Sequence, residues 1–271
     1  MEFNDTERVI LSGYIKEDNL ATANRLSAPV TPRRSFYSLY VKRALDIVIS
    51  LAALIVTLPV NLLIAVVTMF DVGFPIFFQQ TRIGKDCRKF MLTKFRNMTN
   101  ARDENGNLLL PKYRVTRWGR FVRRTSLDEL LNFWSILKGD MSIIGPRPLI
   151  ERYLDRYSDR HKMRHAVRPG LECPYMKDDA PTGNKWQDEF ENDVWYVEHV
   201  SFATDVKLFF KLIALVFNRK ETKSRGEAKR GAFVGYDENG IAMNQTQIPQ
   251  KYIDRMRAEY GETINAESLE K

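Results

Sequence analysis

Cysteine is scarce in this chain: two residues in 271, Cys87 and Cys173. They show none of the close C-x-x-C spacing of zinc or dithiol redox sites, so two reduced thiols in a cytosolic compartment are expected. His161, His165 and His199 are equally sparse and scattered. Neither a histidine-built metal site nor a catalytic triad is therefore expected. No zinc-finger spacing and no aromatic RNA-binding signature occurs, and no nucleic acid is expected as partner. Residues 1–34 are polar and carry both charge signs. They lack the basic-then-apolar pattern of a cleaved signal peptide. There is no internal repeat and no low-complexity tract, which argues against a solenoid.

What is present is a globular composition, 44% hydrophobic and 28% charged, with a net charge of +8 and a pI near 9.4. The basic balance points to an acidic partner such as anionic lipid or a phosphorylated substrate. One long apolar run extends from Ala44 to Phe70, with Pro59 near its middle. As a continuous helix it would be roughly 40 Å long against about 30 Å of hydrocarbon, whereas each arm beside Pro59 would rise only about 20 Å. Proline removes a backbone donor and clashes with the preceding turn, so a kink is expected there. Arg33, Arg34, Lys42 and Arg43 precede the run; Arg82, Lys85, Arg88, Lys89, Lys94 and Arg96 follow it. Basic flanks face the cytoplasm. A helix–break–helix hairpin keeps both flanks inside, and a straight crossing would not. A true span and a buried helix pair stay open as alternatives. Asp46 and Asn61 are costly in lipid unless they lie near an interface or pack on protein.

Beyond the run, Phe74–Gln80 and Lys89–Arg96 read as strands around a turn at Gly84. Residues Thr99–Asn107 read as an exposed loop, and Tyr113–Arg124 as a helix with a basic face. Leu127, Leu130, Leu131, Trp134 and Leu137 fall at helical spacing before Gly139, predicting one helix over Leu127–Leu137. A polar helix is expected over Leu149–Ala166, a loop over Gly170–Asn184, and a helix within Asp193–Asn218 that is either interfacial or ordinary core.

The residues that carry chemistry are Asp128 and Glu129. Ser126-Leu127-Asp128-Glu129 has the form of a capping box, so helix capping is one reading of the pair. The same helix end would depress a carboxylate pKa, offer N–H groups to a phosphate, and let two carboxylates share magnesium with phosphate oxygens. An ionised Asp is then a candidate nucleophile at phosphorus. Gly145-Pro146-Arg147-Pro148 holds one guanidinium in a fixed backbone, suited to bidentate phosphate contact, or is simply a turn with an exposed Arg. Arg123 and Arg124 serve a phosphate or meet lipid headgroups.

These residues, together with Lys42-Arg43-Ala44-Leu45-Asp46, Gln80-Thr81-Arg82-Ile83-Gly84, Lys94-Phe95-Arg96-Asn97-Met98, Leu137-Lys138-Gly139-Asp140-Met141-Ser142 and Val167-Arg168-Pro169-Gly170, occur in the order seen in bacterial sugar transferases. From about Tyr40 to Phe217 the chain resembles a monotopic polyprenyl-phosphate phosphoglycosyltransferase. The resemblance implies an α/β (α+β, mostly helical) fold: a re-entrant membrane helix hairpin and a small cytosolic catalytic domain with interfacial amphipathic helices. The expected divisions are a polar extension at 1–38, the membrane helix at 39–73 broken at Pro59, the catalytic domain at 74–218, and a polar tail at 219–271. It implies transfer of a phospho-sugar from a UDP-sugar to undecaprenyl phosphate with release of UMP. That reaction starts a surface exopolysaccharide, lipopolysaccharide or other glycoconjugate. Asp128 would be the nucleophile, Glu129 its assistant, and Mg2+ would sit at the pair. Arg147, Arg123, Arg82 and Lys94 would bind phosphate. The implied place is the cytoplasmic face of the bacterial inner membrane, against anionic lipids, with homo-oligomerisation left open. The chain departs from the family pattern at Leu58, where a Ser is common before the Pro and where Thr57 is the substitute hydroxyl. It departs again after Gly170, where Leu171-Glu172-Cys173-Pro174 replaces Ile-Thr-Gly-Trp and bears on sugar choice. The rival readings are a membrane-docked scaffold with a purely capping acidic pair, and a polytopic transferase working by direct attack. The latter needs many spans.

Overall fold

The computed structural model describes residues 3–104, 106, 108–176, 185–217 and 231–261. The expected Gly170–Asn184 loop and the polar tail fall partly outside them. The described chain is mostly helical, with three two-stranded sheets.

Helix α1 (Asp5–Leu26) opens the chain with a capping box: the Asn4 side chain accepts from the Glu7 N–H at 2.9 Å, and the Glu7 carboxylate accepts from the Asn4 N–H at 2.6 Å. A short π-turn, Tyr37–Val41, leads into α2 (Lys42–Val72), one helix that contains Pro59. The expected break is therefore not a gap between two helices. The Thr57 hydroxyl donates to the Ala53 carbonyl at 2.7 Å and accepts from Asn61 at 3.2 Å, a threonine back-bond of the kind that bends helices. Together Tyr37–Val72 are long and apolar enough to cross a membrane, and only 11% of the most apolar window is buried.

Both ends of α2 are tied to the part of the chain that follows it. At the first end Arg43 donates to the Ile136 and Leu137 carbonyls at 2.6 and 2.8 Å. There Asp46 accepts from the Ser142 hydroxyl and the Ile143 N–H, each at 3.0 Å. At the far end Trp118 donates to Thr68 at 3.2 Å, Thr116 to Asp71 at 2.5 Å, and Arg96 to the Val72 and Gly73 carbonyls. Residues 51–60 between these anchors include none that is buried. Asp46 and Asn61 thus meet the condition set by the sequence: both are buried against protein groups.

Strands β1 (Phe77–Ile83) and β2 (Lys89–Phe95) pair antiparallel, with Phe77 opposite Phe95; β1 starts and ends three residues beyond the expected Phe74–Gln80 strand. Helices α3 (Pro111–Arg114) and α4 (Arg117–Arg124) divide the expected Tyr113–Arg124 helix, because Thr116 caps α4 through the Gly119 N–H. The expected Leu127–Leu137 helix is a 3-10 turn, Leu127–Glu129, followed by a separate α5 (Asn132–Lys138). Strand β3 (Ser142–Ile144) pairs in parallel with β4 (Gly170–Glu172), a pairing with no local signal. The expected Leu149–Ala166 helix is broken into a 3-10 stretch at Glu151–Arg156, α6 (Asp159–Lys162) capped by Ser158, and a 3-10 turn at Met163–Ala166. The helix expected within Asp193–Asn218 is two: α7 (Lys185–His199) and α8 (Phe202–Phe217). Helix α8 buries Leu208 while Phe202, Phe210 and Ile213 stay exposed, so it has both a core face and an apolar outer face.

Chain termini meet. Strands β5 (Phe233–Tyr236) and β6 (Ala242–Asn244) form a hairpin, and α9 (Gln250–Tyr260) follows. Leu11 and Ile15 of α1 share a core with Val234, Met243, Tyr252, Ile253 and Met256. A second core joins Ala23, Phe233 and Tyr236 to Tyr153, Tyr157, Trp186 and Phe190. A third, with Leu92, Ile136, Ile144, Tyr196 and Leu208, underlies the acidic pair's neighbourhood.

Candidate active site

Four segments converge. Strand β2 brings Lys94 and, just beyond its end, Asn97. The turn after α4 brings Asp128 and Glu129. The loop after β3 brings Arg147, and β4 brings Glu172. Two glycines permit the close approaches this needs. A Cβ on Gly170 would lie 2.2 Å from the Gly145 nitrogen, so the chains beside Arg147 pass with no room for a side chain. A Cβ on Gly119 would lie 2.1 Å from the Asn97 carbonyl oxygen, so α4 rests directly on the backbone that carries Asn97.

The expected capping box is absent. Ser126 sits in the left-handed region (φ 57°, ψ 22°) and its side chain makes no capping hydrogen bond. A left-handed serine is sparsely populated backbone of the kind found at functional sites. Its consequence is that neither carboxylate is used up in capping.

The two acids occupy opposite environments. Asp128 is buried, 7% exposed. It accepts from Asn97 Nδ2 at 3.4 Å, and Asn97 Oδ1 accepts from Arg123 Nε at 2.9 Å. Desolvation raises the Asp128 pKa above the ordinary carboxylate value; the Lys94 charge opposes this and the Glu129 charge adds to it. The expectation of a depressed pKa is thereby reversed, because a buried 3-10 turn stands where a long helix was expected. For Glu129 burial also acts upward, but Arg147 and Lys94 outweigh it and hold the pKa at about 2. Lys94 Nζ and Arg147 Nη2 both donate to Glu129 Oε1, at 2.7 and 2.6 Å.

Arg147 reaches Glu172 Oε2 and the Leu171 carbonyl through its other terminal nitrogen, at 3.3 and 3.2 Å. Its own carbonyl accepts from Arg164 at 2.9 Å, and Arg164 pairs with Asp193 at 2.6 Å, both side chains almost wholly buried. A buried, paired guanidinium thus fixes the backbone that presents Arg147. Of the expected phosphate binders, Lys94 and Arg147 stand on Glu129, and Arg123 stands behind Asn97. Arg82 donates to Gln80 at 2.7 Å and bonds neither acid among the described residues. Burial, and then the neighbouring Arg147 charge, lower its pKa, so it lies within electrostatic reach of the site. Pro59 sits in α2, outside this cluster. Asn97, Arg164 and Asp193 were given no role from sequence, and Glu172 appeared there only in the segment that departs from the family pattern. Asn97 lay in a quoted motif, whereas Arg164 and Asp193 act through contacts that no local pattern reveals.

Among the described residues no group of three or more His, Cys, Asp and Glu side chains could hold a metal. The acidic pair fits one arrangement, in which one or two carboxylates share magnesium with substrate phosphates and water. Both bonds to Glu129 fall on Oε1, which leaves Oε2 for such a role.

Residues 37–219 match the model of a family described as bacterial sugar transferase. An uncharacterized sugar transferase, EpsL, of Bacillus subtilis (strain 168) is 39% identical over 167 residues, covering 62% of this chain and 82% of that protein. A UDP-galactose-lipid carrier transferase of Erwinia amylovora is 32% identical over 209 residues, covering 67% of this chain and 41% of the relative. A UDP-N-acetylgalactosamine-undecaprenyl-phosphate N-acetylgalactosaminephosphotransferase of Aeromonas hydrophila is 32% identical over 213 residues, covering 76% and 49%. The chain thus spans less than half the length of the last two relatives. The family match includes Asp128, Glu129, Lys94 and Arg147, and excludes α1, β5, β6 and α9.

Proposed function

The chain belongs to the bacterial sugar transferase family, and from that premise we propose that it moves a phospho-sugar from a UDP-sugar to undecaprenyl phosphate, releasing UMP. The observation that carries the reading is the split between the adjacent acids. Glu129 is neutralised by Lys94 and Arg147, whereas Asp128 is desolvated and bonded only through Asn97 among side chains. A desolvated carboxylate is the better nucleophile of the two.

In the first step an Asp128 oxygen attacks the sugar-bearing phosphorus. The bond to the bridging oxygen of the diphosphate breaks, and UMP leaves with that electron pair. In the second, a phosphate oxygen of undecaprenyl phosphate attacks the same phosphorus, the acyl-phosphate bond breaks, and Asp128 is regenerated as carboxylate. Arg147 and Lys94, already oriented by Glu129, offer donors to the phosphate oxygens. Arg123 fixes Asn97 and, through it, the Asp128 carboxylate. Asp128 and Glu129 would hold magnesium, which supplies charge neutralisation between carboxylate and diphosphate when bound. Glu172, lying on Arg147 where the family commonly has Thr, is the first residue of the divergent segment to bear on sugar choice.

Tyr37–Val72 would enter the cytoplasmic leaflet of the inner membrane and return to the same face. Anchoring of both its ends to the catalytic domain supports that course. The test is UMP release by the purified chain with undecaprenyl phosphate and a panel of UDP-sugars. Release that depends on the lipid phosphate and on one or a few sugars is expected. No release with any member would leave the scaffold reading.

A further inference from the structure

A second cavity, of about 620 Å³, lies at the first end of α2, between the linker that follows α1, the β1–β2 turn and the 159–168 segment. None of Lys94, Asn97, Asp128, Glu129 and Arg147 lines it. Its volume falls within the range of small-molecule sites.

Its walls are strongly basic. Arg33, Arg34, Lys85, Lys162 and Arg168 line it, and none is ion-paired with a carboxylate among the described residues. The carboxylates facing them are Asp46, Asp86 and Asp159; Lys42 is already matched by Asp205 at 2.7 Å. Five cations against three acids leave an excess of two positive charges that an anion would neutralise. Arg33 and Arg34 lie outside the family match, and Lys85, Lys162 and Arg168 lie inside it.

Two deeply buried acceptors share the walls. His165 is 6% exposed and bonds the Gly84 backbone, while its Nε2 has no partner. Burial, aided by the Arg164 charge, pushes its pKa down to about 3, so at neutral pH the ring is uncharged and Nε2 presents a lone pair. Asp46 is 3% exposed; Oδ1 is satisfied by Ser142 and Ile143, and Oδ2 has no partner. A buried acceptor without a donor is costly. Inorganic phosphate would meet the cations but offers few hydroxyl donors. A sugar phosphate supplies both.

We propose that this cavity binds a soluble phosphorylated sugar or nucleotide, separately from the catalytic pair, with phosphate on the Arg33, Arg34, Lys85 and Lys162 side and hydroxyls toward His165 and Asp46. It seats the ligand where the linker from α1 enters the membrane helix, so occupancy bears on how the terminal unit and that helix are joined.

The experiment is equilibrium dialysis of the full chain in phosphatidylcholine nanodiscs against labelled ribose 5-phosphate, with inorganic phosphate, ribose and phosphatidylglycerol vesicles as competitors. Saturable binding is expected, with ribose 5-phosphate held more tightly than inorganic phosphate and ribose not competing. Lys85→Gln with Lys162→Gln, both exposed positions, is expected to weaken binding about tenfold or more. Arg147→Ala is expected to leave it intact. Loss of binding in Arg147→Ala with retention in the lysine double variant would put the phosphate in the catalytic site and overturn the proposal. So would displacement by phosphatidylglycerol alone, or no binding of ribose 5-phosphate.

Discussion

Burial raises the pKa of Asp128 against the pull of Lys94, whereas Glu129, one residue on, is held at about 2 by Arg147 and Lys94 despite its burial. Linkage turns this into opposite effects on stability. A carboxyl whose folded pKa lies above its ordinary 3.8 is harder to ionise in the folded state. Its cost is absent at acid pH, grows as pH rises, and is full above the folded value. Asp128→Asn is therefore expected to melt at or above the wild-type temperature at pH 7, an advantage that fades toward pH 4. Glu129 contributes the reverse: its stabilisation is full above about 4.5 and is lost as pH falls through about 2. Glu129→Gln leaves Lys94 and Arg147 without their carboxylate and is expected to cost about 1–3 kcal/mol at pH 7. Thermal melts of both variants across this pH range check the pair. A clearly lower melting temperature for Asp128→Asn at pH 7 would contradict a desolvated carboxylate. The identity of these two residues was legible in the sequence. Their division of labour was not, since it depends on Lys94 and Arg147, which lie 35 and 18 residues from Glu129.

At the scale of elements, the proposed course of α2 keeps both its flanks on one face of the membrane. Cysteines placed at Glu17 and Lys112, in a background lacking Cys87, are expected to resist a membrane-impermeant maleimide in intact cells and to react together after permeabilisation. Labelling of one from outside would establish a straight crossing. Helix α2 and the β1–β2 hairpin were readable because each carries its signal locally: a long apolar run, and aromatic and β-branched residues around Gly84. Leu127–Leu137 misled because its helical spacing is real, but a left-handed Ser126 precedes it and its first residues, Asp128 among them, close as a 3-10 turn separate from α5. Strands β3 and β4 have three residues each, and Ser142 pairs with Gly170 across the intervening chain, so only tertiary packing selects them. The Asn4–Glu7 capping box of α1 and the Asn239-Gly240 turn before β6 were local signals in segments read only as polar.

At the scale of the whole molecule, the ends of the chain build one unit beside the family core. Leu11 and Ile15 are fully buried against residues from 234 onward. Ending the chain at residue 230 is expected to expose α1, with rapid tryptic cleavage near Lys16, and Leu11→Ala in the full chain to cost about 2–5 kcal/mol. Unchanged protection of α1 in the shortened chain would show that it folds without its partner segment. The central claim, that Asp128 carries the phospho-sugar between donor and lipid, is tested most directly by the mass of the intact protein. After incubation with the accepted UDP-sugar and no lipid acceptor, the wild-type chain should gain one phospho-sugar, which undecaprenyl phosphate then removes, and Asp128→Asn should gain none. An Asp128→Asn chain that acquires the same adduct, or that turns over at a substantial rate without one, would contradict it.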